Sequence, residues 1–146
     1  MSSRLTLLLI CEGCERYPLL ISALQSAEFD LITADTPETA MLALGQSSVD
    51  AMLIRPGGSS VNRPAYVALK RRAPRAPILL FDVGAQITEK GQGLYSVIHV
   101  NVQDDVLVRA VAVFLRESLL LAQSAHAAEM AARTAARPTH SRSLTS

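Results

Sequence analysis

Five short apolar runs punctuate the first hundred residues: LTLLLI (5–10), DLITAD (30–35), DAMLI (50–54), PILLFD (77–82) and SVIHV (96–100). None alternates strictly between apolar and polar positions, which is how strands buried on both faces of a sheet read. Successive runs lie roughly 20 to 25 residues apart, enough for one helix and its turns, so the pattern predicts repeated βα units and an α/β fold on a parallel sheet.

The intervening segments carry helical spacing. In YPLLISALQSA, Leu20, Ala23, Leu24 and Ala27 recur on one face, and Pro18 falls in the first turn, where its missing N–H costs nothing. TPETAMLALGQ has Thr36 as a capping residue, Pro37 at the first helical position, Glu38 complementing the dipole and Gly45 expected to end the pattern. RPAYVALKRRA closes on Lys70, Arg71 and Arg72, cations that favour a helix C-terminus. VGAQITEKGQGLY, with three glycines, promises at most a short or frayed helix.

A long helix is predicted from about Gln103 to Arg137, broken by Pro138. At 1.5 Å per residue it spans roughly 50 Å, more than a small domain, so its second half must leave the body of the protein. That half is alanine-rich, and Val111, Phe114, Ser118, Leu121, Ala125, Ala128 and Ala132 follow a heptad-like spacing that permits close helix pairing. The expected organisation is a domain over 4–118, a helical extension over 119–137 for dimerisation or linkage, and a disordered tail over 138–146.

Composition narrows the picture. The 146 residues, 49% of them apolar, support one core and an appendage. A net charge of +1 argues against a protein that coats nucleic acid or membrane, and no stretch is long enough to span a bilayer. MSSRLTLLLIC imitates a secretory signal, but its apolar run is short, no small-residue cleavage site follows, and LLIC lacks the small residue a lipoprotein signal needs. Cys11 and Cys14 are the two cysteines; a bridge between them closes almost no loop and cannot staple a secreted scaffold, so a reducing cytoplasm is expected.

In an open parallel sheet, ligands and catalysts gather at the strand C-termini. Cys11 and Glu12 stand after the first strand, Arg55 after the third, Asp82 at the end of the fourth and His99 near the end of the fifth. The element order, ADTPETAMLAL after strand two, VDAMLIRP for strand three and APILLFD for strand four together resemble the receiver domains of response regulators, over about residues 4 to 118. The resemblance implies a flavodoxin-like (βα)5 three-layer sandwich with strand order 2-1-3-4-5, extended here by the C-terminal helix. Receivers hold Mg2+ with an acidic pair after strand one, where this chain has Cys11 and Glu12. Their phosphoaccepting aspartate is replaced by Arg55, the hydroxyl residue of strand four by Asp82, and the lysine of strand five by His99.

Phosphoryl transfer needs a carboxylate nucleophile and a divalent metal to neutralise charge. Arg55 removes the first and opposes the second, so the resemblance implies a degenerate receiver that is not phosphorylated. Its guanidinium is expected to pair with Glu12 and Asp82 in the metal's stead. Such domains occur at the front of some bacterial transcription regulators and signal through their last helix. The expectation is a non-enzymatic module without cofactor, acting on a protein partner or effector domain, or on a second copy through Val111, Phe114 and Leu121.

The alternative is a thiol-disulfide redox protein, since a CxxC at a helix start lowers a thiol pKa. Against it, the chain has no tryptophan, and Glu12 beside the thiols disfavours thiolate. Zinc would need His99 and Asp82 to converge on both cysteines, and the basic run Lys70 to Arg75 reads as a solvated helix end. Neither a phosphate-binding glycine loop nor a hydrolase triad is present, and RPGGSS reads as a turn.

Overall fold

The structure, a computed structural model, describes residues 4–56, 62–82 and 93–145, the last ten of these by backbone alone. Its five parallel strands are β1 (Leu5–Ile10), β2 (Phe29–Ala34), β3 (Ala51–Ile54), β4 (Ile78–Leu80) and β5 (Ser96–Val97), in the order β2-β1-β3-β4-β5. The helices are α1 (Pro18–Ser26), α2 (Pro37–Gln46), α3 (Arg63–Arg72) and α4 (Asp105–Thr145), with a single 3-10 turn at Cys14–Arg16. The segment expected to hold a frayed helix between the fourth and fifth strands falls largely outside the described residues.

The unbroken apolar runs have a plain cause. Leu7 pairs with Ala51 and Leu9 with Leu53, and these face the layer of α1 and α4; Leu8 pairs with Met52 and Ile10 with Ile54, and these face α2 and α3. Side chains alternate between faces, and helices bury both, so these paired positions of β1 and β3 are all apolar. On one face Leu20, Ala23 and Leu24 of α1 join Val108, Ala112, Leu115 and Leu119 of α4; on the other Ala40 of α2 joins Tyr66 and Leu69 of α3.

Three boundaries differ from the sequence expectation. Gly45 lies inside α2, which runs to Gln46 and closes with the Ser47 N–H on the Ala43 carbonyl. A Cβ at Gly45 would stand 3.2 Å from an Arg72 guanidinium nitrogen, so the glycine admits close passage of that side chain rather than ending the helix. Strand β5 stops at Val97, leaving His99 beyond the sheet. Helix α4 continues past Pro138 to Thr145. In a helix surrounded by water, the carbonyl that Pro138 leaves without an N–H partner can bond to solvent, which lowers the penalty for continuing. Among the described residues no helix is long and apolar enough to cross a membrane.

Candidate functional site

The carboxyl edge of the sheet is assembled by short chain reversals. The Cys11 N–H reaches the Ala34 carbonyl at 3.0 Å and the Arg55 N–H the Ile10 carbonyl at 2.9 Å, so β1 and β3 each deliver their next residue in register with the neighbouring strand. Beyond Cys11, Gly13 turns the chain with φ at +67°, a left-handed geometry that favours glycine. The 3-10 turn follows, and the Tyr17 N–H bonds to the Cys14 carbonyl at 3.0 Å. Tyr17 then stands as the cap of α1, with Pro18 opening the helix.

Asp82 is the centre of the site. Its Oδ2 accepts from Arg55 Nε at 3.0 Å and from the Tyr17 hydroxyl at 2.9 Å. The Arg55 guanidinium lies 5.8 Å from the centre of the Tyr17 ring, within cation–π range, and that ring packs edge-on against Phe81 at 5.5 Å. Asp82 itself has φ at +51°, an uncommon geometry for a residue with a side chain, at the point where β4 has ended. Burial pushes the Tyr17 phenol above its usual range, and the bond to Asp82 adds to the effect.

The side chains of Arg55 and Asp82 keep 36% and 40% of their exposure, so the ion pair contributes on the order of 1 kcal/mol or less to stability. Its value is positional: a permanent cation and a carboxylate occupy the strand ends and satisfy one another.

Of the two partners expected for Arg55, Asp82 is present and Glu12 is not. Glu12 is exposed and makes no ion pair among the described residues, although it lines a cavity together with Arg55. His99 is exposed two residues past β5 and does not join the cluster. No group of three His, Cys, Asp or Glu able to hold a metal occurs among the described residues, so the zinc arrangement with Cys11, Cys14, Asp82 and His99 does not assemble. Val111 is half-buried against the domain, whereas Phe114 and Leu121 are 70% and 71% exposed and line up with Leu107.

Two features stand outside the leading reading of the sequence, the first of them touched on only by its thiol-disulfide alternative. Cys11 and Cys14 are joined as a disulfide, with Cα atoms 5.3 Å apart, and are 1% and 6% exposed. The short loop that made a bridge unpromising as a staple does not prevent it, because the 3-10 turn returns the chain to within bridging distance. Tyr17 is the other; its place at the head of α1, on the strand-end side of the sheet, was the available signal. Beside the cluster lies a cavity of about 250 Å3, lined by Cys11, Glu12, Asp35, Arg55 and Tyr66 among others. Burial pushes the Tyr66 phenol up to about 12.

Neither protein-family models nor curated proteins give a match to this chain. Solved structures do. The phosphorylated cyanobacterial phytochrome response regulator RcpA superposes with a TM-score of 0.63 at 15% identity, covering 81% of this chain and 95% of that one. A response regulator receiver domain protein from Clostridium thermocellum gives 0.56 at 14%, covering 79% and 98%. A protein described as an adenylate cyclase from Rhodopirellula baltica gives 0.61 at 14%, covering 85% and 96%. At these identities the likeness is one of fold, and the chain is built on the five-stranded βα framework of the response regulator receiver domains.

Proposed function

We propose that this chain is a receiver-like signalling module that works without phosphorylation and acts through protein contacts of α4. The observation that carries the reading is the guanidinium of Arg55 at the end of β3, bonded to Asp82, where a receiver of this fold would present its phosphoacceptor. A cation there cannot take a phosphoryl group and repels the metal that would assist its transfer. Asp82, the carboxylate bonded to Arg55 among the described residues, already accepts from two donors. No catalytic constellation is needed for such a role, and the reading is of a binding module rather than an enzyme.

Incubation with acetyl phosphate and Mg2+ tests it. No stable label is expected, and stoichiometric, acid-stable, base-labile labelling would overturn it. The contact surface is the exposed stripe of Leu107, Phe114 and Leu121, seven residues apart, continued by the alanine-rich end of α4. A second copy of the chain fits that spacing best, in the manner of a regulatory domain that pairs ahead of an effector in a bacterial transcription regulator.

A second reading, a thiol-disulfide redox protein, draws support from the bonded sulfurs. Their burial weighs against exchange with a protein substrate, which needs an exposed sulfur to attack. Failure of the native chain to reduce a protein disulfide under turnover conditions separates the two.

A further inference from the structure

The cysteine bond and the charge pair are not independent. Cys11 directly follows β1, and Cys14 opens the 3-10 turn, its carbonyl holding the Tyr17 N–H. Tyr17 in turn donates its hydroxyl to Asp82, the carboxylate that holds Arg55. Only Glu15 and Arg16 therefore separate a sulfur-bearing residue from the ring that organises the site. Cys11, Cys14, Tyr17 and Phe81 all belong to one buried cluster.

Reduction removes the covalent tie between Cys11 and the 3-10 turn and leaves two thiols, which need more room than the bonded pair. A close-packed core has no room for that change without displacement. Cys11 is held by its N–H bond to the Ala34 carbonyl of β2, so the displacement falls on the 3-10 turn, which is attached through Gly13. The reduced form also has a partner in place, since Cys14 Sγ lies 3.0 Å from the Cys11 carbonyl oxygen, to which a thiol proton can be donated.

We propose that Cys11 and Cys14 form a reversible redox switch whose state decides whether Tyr17 holds Asp82, and through it Arg55. The switch rests on the reading of the Arg55–Asp82 pair as the part of the domain that carries its state. Cys11 lines the 250 Å3 cavity, which suits a small oxidant of the peroxide class and excludes a protein-sized one. Attack of its thiolate on peroxide breaks the O–O bond and gives a sulfenic acid. The first peroxide oxygen leaves as hydroxide and takes the thiol's proton as water. The Cys14 sulfur then displaces the second oxygen, which also leaves as water, and the S–S bond forms. A small dithiol returns two electrons and two protons and is itself oxidised to a disulfide.

The test compares the full chain after hydrogen peroxide with the full chain after dithiothreitol, in the absence of any phosphoryl donor. Intact mass should differ by about 2 Da, one S–S bond against two S–H groups. Proton–nitrogen NMR should show the Tyr17 amide and the Arg55 Nε–H moving together on reduction, while β1 and β2 amides remain in place. In Tyr17→Phe the Arg55 signal should no longer respond, although residues 12 to 16 still do. An Arg55 Nε–H indifferent to redox state in the natural chain overturns the switch, as does resistance of the folded, reduced chain to peroxide. The Cys11→Ser, Cys14→Ser double variant should reproduce the reduced spectrum; if it does not fold, the redox comparison of the natural chain decides alone. Labelling by acetyl phosphate would remove the unphosphorylated reading while leaving this response to be measured.

Discussion

Tyr66 is 2% exposed, and its burial, with Tyr95 adding to the effect, disfavours the charged phenolate. Its folded pKa of about 12 lies above the ordinary tyrosine value of 10.0, which means the folded chain holds the proton more tightly than the unfolded one. The contribution is complete below pH 10 and disappears as pH rises through about 12; two units correspond to about 2–3 kcal/mol. Urea unfolding at pH 8 and pH 11.5 should therefore show a fall in stability that Tyr66→Phe reduces, and an equal fall in the variant would refute the assignment. At the site, the half-exposed ion pair predicts a coupling of about 0.5–1 kcal/mol in an Arg55→Ala, Asp82→Ala double-mutant cycle. That pair was legible in the sequence because strand-end positions converge by topology. The Glu12 half was not, because the direction in which a side chain leaves a turn depends on Gly13 and the 3-10 geometry that follows.

Elements were most legible where both faces of the sheet are covered, since burial on two sides forces a run of apolar residues that no loop would keep. Their ends were less so, because they depend on single contacts: Arg72 crossing Gly45, or β5 ceasing to pair after Val97. Helix α4 shows what fixes an end. Asp104 Oδ1 accepts from the N–H groups of Val106 and Leu107 at 3.0 and 3.1 Å, an N-cap that no sequence pattern singled out. Asp104→Ala should lower stability by about 1 kcal/mol in denaturant titration. Leu115→Ala, which removes a buried side chain between α4 and the rest of its layer, should cost about 2–4 kcal/mol. If the two losses came out equal, the packed stripe of Val108, Ala112, Leu115 and Leu119 would not be what attaches the helix to the sheet.

For the molecule as a whole, the long helix poses the remaining question of energy. Its 41 residues extend about 60 Å, yet the buried stripe ends at Leu119, and every residue from Leu121 to Ala135 is exposed. Among the described residues, one side-chain hydrogen bond from this stretch returns to the domain, Gln123 Nε2 to Asp50 Oδ1 at 2.8 Å, and one ion pair, Arg133 to Glu129, lies within it. Alanine favours the helical state, but in proteins most helical stability comes from packing an apolar face, so association would add to what this stretch has alone. A second copy, paired along Leu107, Phe114, Leu121 and the alanines beyond, would bury what one chain leaves open. Light scattering should then give twice the 15.7 kDa of the chain, and Phe114→Glu with Leu121→Glu should return it to the monomer mass. Far-ultraviolet circular dichroism should show helix lost from that variant and from the diluted natural chain to the same extent. A natural chain that stays at 15.7 kDa at every concentration while keeping its full helix content would show that α4 stands alone, and that its exposed stripe awaits a different partner.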